Sequence, residues 1–366
     1  MAAAPEKKGA KKTVKKVVKK KVVKKNPVNV TDNVHNQIKI QEVWSKDIKK
    51  FYEERDGDNF VRSDCSGKKK GVFIGINYVN SKHKLMGCVS DAINISELFK
   101  NKFGFKDIMV LTDESKDEKQ KPTHNNITNA MKWLVKDAKA GDSLIFHFSG
   151  HGARVKDNNG DEMDGFDESI IPCDFGSKGR IIDDKIHQLL VEPLPKGCKL
   201  TAIFDCCHSG TIMDLPYTYQ YKQDVEVIDN DVRKAIFEKT NDVVKTINTG
   251  NPAAIADSLK SIFDGSLRKA ASNGIDPATI KKLQSKGEVI QISSCRDDQK
   301  STDIKMGKVK SGVMSHYLMK LLNDKKEYTI HELLVGIRKC IADRKFAQIP
   351  QISSNRPLSP NDKFTV

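Results

Sequence analysis

From residue 70 onward, short apolar runs alternate with amphipathic stretches of helical length, and this alternation constrains the fold more than any other feature of the chain. GVFIGIN (71–77), DIMVLTD (107–113), SLIFHFSGHG (143–152), ESIIPCD (168–174), KLTAIFDCCHSG (199–210) and EVIQISSC (288–295) read as strands from their apolar content and bounding turn residues. Helical spacing occurs at about 89–103, 125–139, 183–191, 311–323 and 329–343, and PQISS (350–354) reads as a closing strand. Strands separated by crossover helices pair in parallel, and their nearly continuous apolar character requires cover on both faces. The expectation is an α/β domain whose mainly parallel central sheet is sandwiched by helices.

The rest of the chain divides around this pattern. Residues 222–286 are charged, weakly apolar and punctuated by TGNP, DG and NG, which predicts a long linker with at most loose helices. The sheet is therefore expected from two sequence segments, 70–221 and 287–366. Residues 36–69 form an N-terminal extension packing on the core, with a short helix expected within 36–60. Residues 1–35 form a lysine-rich tail. The formal charge is +15, but residues 1–25 hold eleven lysines against one glutamate, so two thirds of the excess lies in that tail. Two readings of the tail stay open: a solvated, disordered segment, or a nuclear-targeting element that binds nucleic acid or an acidic surface.

Eight cysteines lie scattered, with no C-x-x-C pair, so a structural zinc site is not expected and the thiols are expected to be reduced. The N-terminus lacks an apolar signal region, and no apolar run approaches the roughly 20 residues of a membrane span. A cytoplasmic or nuclear location follows as an expectation, without a membrane span. An NTPase is disfavoured, because no phosphate-cradling G-x-x-x-x-G-K-[ST] string occurs.

Two predicted strands end in a reactive side chain with glycine close by: HFSGHG places His151, and FDCCHSG places Cys207. Functional groups of open parallel sheets gather beyond the strands' carboxyl ends, where the loops share one crevice. A thiol and an imidazole there make a nucleophile–base pair: the ring takes the thiol proton, and the thiolate attacks a carbonyl. Backbone N–H groups of Gly152 and Cys207 are the candidates to hold the resulting oxyanion. Taken singly, each residue also has a structural reading, the cysteine as a small buried hydrophobe and the histidine as a satisfied core residue. The two lie 56 positions apart, near the separation of about 50 between the histidine and cysteine of caspases. His147 and His151 are four apart, but a strand ending in glycine does not place them together as helical zinc ligands.

The strings FHFSGHG and FDCCHSGTIMDLPY resemble those of the metacaspases, the caspase-like peptidases of plants, fungi and protists. The likeness extends over GVFIGINY, LMGCVSDA, GFDESIIPCDF, IIDDKIH, VIQISSCRDDQ and FAQIPQISS, roughly residues 70–221 and 287–366. The resemblance implies a caspase-like fold, a cysteine endopeptidase with Cys207 as nucleophile and His151 as base, and a monomer. It also implies a substrate pocket made by Asp91, Ser149 and Asp205. Two carboxylates in one pocket favour Arg or Lys before the scissile bond through charge-assisted hydrogen bonds, and repel aspartate at a cost of several kcal/mol. Asp91 has a second reading as a helix N-terminal aspartate; Asp205 follows the buried TAIF, which argues against a merely solvated role.

The resemblance further implies Ca²⁺, held by Asp167, Asp183, Asp184 and Asp214, all hard oxygen donors. Asp183 and Asp184 also have a reading as caps of the helix that comes after them. The segment DNNGDEMDGFDE (157–168) has the wrong offsets for an EF-hand. Self-cleavage is expected at Arg233–Lys234, Arg268–Lys269 or Lys281–Lys282, the basic pairs of the linker. The chain departs from the family in having both an N-terminal extension and a long junction, so its subtype stays open. The competing reading is a catalytically silent, caspase-like binding protein whose lysine-rich tail contacts a polyanion.

Overall fold

The computed structural model describes residues 61–79, 81–156, 166–207, 209–215, 217–221, 225–229, 285–294, 303–306, 309–325, 327–346, 348–356, 358 and 361–366. The lysine-rich tail, the helix expected within 36–60, most of the linker and all three basic pairs lie outside the described residues. The first segment runs β1 (Lys69–Gly75), α1 (Cys88–Phe103), β2 (Asp107–Thr112), α2 (His124–Val135), β3 (Ser143–Ser149), β4 (Gly152–Lys156), β5 (Phe166–Ile170) and α3 (Phe175–Lys178). It continues through β6 (Ile181–Ile182), α4 (Asp183–Leu190), β7 (Lys199–Asp205), β8 (Tyr217–Tyr221) and β9 (Val225–Asp229). The second segment supplies β10 (Glu288–Ser293), β11 (Asp303–Met306), β12 (Val309–Gly312), α5 (Val313–Asp324), α6 (Ile330–Asp343) and β13 (Gln351–Ser354).

Eight strands form one sheet in the order β2-β1-β3-β7-β10-β13-β8-β9. The first five pair in parallel, and β13, β8 and β9 extend the sheet in antiparallel fashion. Alternation along each strand divides the core into two layers. Val72, Ile74, Leu144, Phe146, Phe148, Leu200 and Phe204 face α2 and α4, whereas Phe73, Ile145, Ile203, Ile290 and Ile292 face α1, α5 and α6. Burying each such side chain contributes about 1.5–3 kcal/mol, so the sheet is held from both sides. The helices are begun by local chemistry. The Thr123 hydroxyl accepts from Asn126 N at the start of α2, and Thr329 and Glu332 make a reciprocal capping box on α6.

The mainly parallel sheet flanked by helices is present, and it is built from both sequence segments as expected. Three differences stand out. β9 lies inside the segment read as linker, where VEVID is rich in β-branched residues but its two charges masked the signal. PQISS does not close the sheet, because β8 and β9 continue beyond β13. ESIIPCD, read as a strand of the central sheet, instead contributes β5 to a small antiparallel sheet, β4-β5-β6, and neither that sheet nor the hairpin β11-β12 was expected. Their strands are short, although Ile170 of β5 and Ile181 of β6 join the core.

His147 shows how completely the interior is sealed. It is fully buried beside Phe73, with ring centroids 6.2 Å apart, and neither ring nitrogen has a hydrogen-bond partner among the described residues. Burial pushes its pKa down to about 3, so the ring is neutral at physiological pH.

Candidate active site

The carboxyl ends of β1, β3 and β7 lie in register, with Gly75 beside Ser149 and Ser149 beside Asp205. Every residue of the proposed nucleophile–base pair and pocket is carried by these strand ends or by the turns and the helix just beyond them. Gly75 is required by close approach: a Cβ there would stand 2.2 Å from the Cys88 carbonyl oxygen, so only glycine lets α1 begin against β1. That approach puts Asp91, in the first turn of α1, over the strand ends.

Asp91 is fully buried. One of its oxygens accepts from Ser149 Oγ at 3.0 Å and from Gly312 N at 2.8 Å, and the other accepts a short bond from Ser311 Oγ. Asp205, also buried, accepts from Ser315 N at 2.8 Å in the first turn of α5, where the helix dipole favours an anion. Gly312 fits between the two acids because it has no side chain; a Cβ would lie 2.2 Å from Asp205 Oδ2. Burial, and after it the charge of Asp205, raise the Asp91 pKa well above the usual carboxylate range. The structure thus brings Asp91, Ser149 and Asp205 together and adds three residues that sequence reasoning missed: Ser311, Gly312 and Ser315. Ser311 and Gly312 lie at the end of β12 and Ser315 at the start of α5, about 220 positions from Asp91, and no local pattern marked them.

His151 lies just past β3 and is partly exposed. Its backbone N–H donates to Tyr78 Oη at 3.0 Å, and the Tyr78 hydroxyl donates to the Ile171 carbonyl at 2.6 Å. The Tyr78 ring lies 4.7 Å from the imidazole, centroid to centroid. His151 Nε2 stands 2.6 Å from the His83 carbonyl oxygen. A carbonyl only accepts, so Nε2 carries hydrogen and Nδ1 is left as the nitrogen able to take a proton. The histidine-orienting group is therefore a backbone carbonyl, which has no signature in sequence.

Cys207 is two residues beyond β7 and partly exposed, whereas its neighbour Cys206 is buried. Gly152 rests directly on it: a Cβ at Gly152 would stand 2.0 Å from the Cys207 carbonyl oxygen and 3.2 Å from Cys206 Sγ. The turn carrying His151 is thereby seated on the nucleophile loop. The second segment fixes that loop from the other side. Gln291 Nε2 donates to the Ser209 and Gly210 carbonyls at 2.7 and 3.0 Å, and Ser294 Oγ donates to the Cys206 carbonyl at 3.0 Å.

The four aspartates of the expected calcium site fall on three neighbouring elements. Asp167 is on β5, Asp183 and Asp184 open α4, and Asp214 lies past the nucleophile loop with a left-handed φ of 49°. Glu168 links the three: its N–H donates to Asp183 Oδ2 at 2.5 Å, its Oε2 accepts from Thr211 Oγ1 at 2.7 Å, and its Oε1 pairs with Arg154 at 3.1 Å. The donors are carboxylates, which suit a hard cation. Among the described residues, no three acidic, histidine or cysteine side chains stand close enough together to hold a metal ion.

A family profile described as "Metacaspase, peptidase C14 domain" matches residues 69–216. The Metacaspase-1 of Saccharomyces cerevisiae is 40% identical over 305 residues, which cover 82% of this chain and 70% of that protein. The chain belongs to the metacaspase family. The Metacaspase-1 of Schizosaccharomyces pombe is 37% identical over 317 residues, 85% of this chain and 73% of its own. Among solved structures, caspase-1 of Spodoptera frugiperda is 12% identical with a TM-score of 0.44, covering 85% of this chain and 96% of that one. A protein of Geobacter sulfurreducens is 22% identical with a TM-score of 0.46, covering 79% and 93%. A metacaspase is a cysteine peptidase of caspase-like fold, and its substrates are proteins. No helix among the described residues is long and apolar enough to cross a membrane.

Proposed function

We propose that this metacaspase is a calcium-dependent endopeptidase that cleaves after Arg or Lys, with Cys207 as nucleophile and His151 as base. The observation that carries the reading is the joint at the strand ends. There the His151 imidazole is tied through Nε2 to the His83 carbonyl, Gly152 is seated on Cys207, and two buried carboxylates lie at the same strand ends, Asp205 closing β7 and Asp91 in the first turn of α1.

The chemistry is set by those positions. His151 Nδ1 takes the Cys207 thiol proton, and the thiolate adds to the scissile carbonyl. The oxygen that gains the negative charge is held by backbone N–H groups, with Gly152 and Cys207 as candidates. The tetrahedral adduct collapses as the imidazolium gives its proton to the departing amine, leaving a thioester on Cys207. Water, deprotonated by His151, then hydrolyses the thioester and restores the thiol. Asp91, Ser149 and Asp205 fit a basic side chain, because a guanidinium supplies donors in place of those the chain now provides from Ser311 and Gly312. Its charge also favours ionisation of Asp91.

Asp167, Asp183, Asp184 and Asp214 supply the carboxylate oxygens that calcium prefers, and binding the ion would require drawing them closer together than they stand here. Asp214 joins that group to the nucleophile loop, so ordering of this loop is the step that calcium would control. The basic pairs of the linker are substrates of the same specificity, which supports self-processing.

The test is a pair of fluorogenic peptides ending in Arg or Asp, each with calcium or with excess chelator, alongside the intact mass of the protein. Cleavage after Arg alone, dependent on calcium and accompanied by cuts in 222–286, is expected. Equal cleavage after Asp would refute the acidic pocket, and full activity in chelator would refute the calcium role. A folded protein that cleaves neither peptide would be the silent binding protein instead.

A further inference from the structure

The loop Ser81–Met86 holds the catalytic candidate His151, yet the mechanism uses only one of its backbone atoms. Its side chains are Ser81, Lys82, His83, Lys84, Leu85 and Met86, and no acidic residue occurs between Tyr78 and Asp91. Lys82, His83 and Lys84 are exposed. The loop is built, not trailing. Ser81 N donates to the Tyr78 carbonyl at 2.9 Å, His83 N donates to Ser81 Oγ at 3.0 Å, and Leu85 N donates to the Asn77 carbonyl at 2.8 Å. Tyr78 has the left-handed φ of 51° that starts the turn. The nearest acids on the neighbouring strand end are turned to the root of the loop. Asp113 accepts from Asn77 N and Val79 N, and Glu114 accepts from the Asn77 amide.

Resting on the peptidase reading, we infer that Lys82 and Lys84 form the leaving-group side of the cleft and select substrates with acidic residues just after the scissile bond. The side is fixed by proton transfer. The imidazole must deliver its proton to the departing amine, so it lies on the side where the new N-terminus leaves. The loop lies against the far nitrogen of that ring, with the His83 carbonyl on Nε2 and the His83 imidazole edge-on at a centroid distance of 6.3 Å. Residues after the scissile bond must run past it. The cleft then has opposite charges on its two sides: carboxylates for the residue before the bond, cations for those after it. A sequence such as Arg-Asp-Glu satisfies both, whereas Arg-Lys-Lys satisfies only the first.

The test uses internally quenched peptides that all carry Arg before the cut and carry Asp-Glu, Gln-Ser or Lys-Lys after it, beside an Arg-aminomethylcoumarin substrate, all with calcium. Wild-type protein is expected to favour Asp-Glu over Lys-Lys in kcat/KM by roughly three- to tenfold, the size given by two exposed ion pairs. The preference should shrink as salt is raised toward about 1 M, where the screening length falls to about 3 Å. In the double variant Lys82→Glu/Lys84→Glu the ratio between the two peptides, measured within one protein, should invert. A wild-type ratio near one, or a ratio that the variant and salt leave unchanged, overturns the inference while coumarin cleavage leaves the peptidase reading standing. Failure to cleave any substrate, coumarin included, overturns both.

Discussion

His151→Ala is expected to lower kcat by roughly 10²–10⁴-fold while KM changes little, the size expected when a general base is removed. The ring has two faces of function. Nε2 is occupied by the His83 carbonyl at 2.6 Å, so proton exchange with the thiol falls to Nδ1. Without an adjacent base a cysteine exists as only about a few per cent thiolate at neutral pH. Alkylation of Cys207 by iodoacetamide should therefore slow together with kcat. The fold should tolerate the change, because the imidazole is partly exposed and its backbone N–H still donates to Tyr78. Retention of more than a tenth of wild-type kcat would remove His151 from the mechanism.

Asp205→Asn separates specificity from structure. Its expected effect is a loss of about 2–5 kcal/mol in kcat/KM on an Arg peptide, thirtyfold or more, the cost of truncating one partner of a buried charge pair. Thermal stability should stay level or rise. The amide oxygen of asparagine can still accept the Ser315 N–H, and the like charge facing Asp91 disappears. Linkage gives the sign. The Asp91 carboxyl is raised in the folded protein by burial and by Asp205, so its contribution to stability is full below the ordinary carboxylate pKa of about 4 and is lost as pH rises through the folded value. Removing Asp205 lowers that folded value and lessens the loss. Calorimetry at neutral pH and kinetics on the Arg peptide measure the two effects side by side. A fall in melting temperature parallel to the fall in activity would instead make Asp205 a cap of α5 with no role in specificity.

How far such residues can be read from sequence depends on where their signals lie. The five parallel strands were legible because each is a nearly continuous apolar run, as strands covered on both faces require. β8 and β9 were not, since YTYQY alternates aromatic with polar residues and VEVID is interrupted by Glu226 and Asp229, so neither offers an apolar run. His151 and Cys207 stood out as candidates because a reactive side chain ending an apolar run, with glycine close by, is unusual for a core position. The glycine at 152 proves essential for a reason that sequence hides, the carbonyl of Cys207 at 2.0 Å from where a Cβ would be. The His83 carbonyl was illegible, because every residue has a carbonyl. The Ser311–Gly312 contact with Asp91 was equally so, since it joins positions about 220 apart and a serine–glycine pair in a hairpin normally signals nothing beyond a turn.

The chain has eight cysteines, two of them adjacent at 206 and 207, so the most direct measurement is which one reacts as the nucleophile. Protein treated with calcium and one equivalent of an arginine-bearing acyloxymethyl ketone peptide would be digested and sequenced by tandem mass spectrometry. The expected result is a single adduct on Cys207, absent in His151→Ala, with activity falling in proportion to labelling. An adduct on Cys206 or any other cysteine, or full activity in Cys207→Ala, would contradict the assignment of the nucleophile and with it the proposed mechanism.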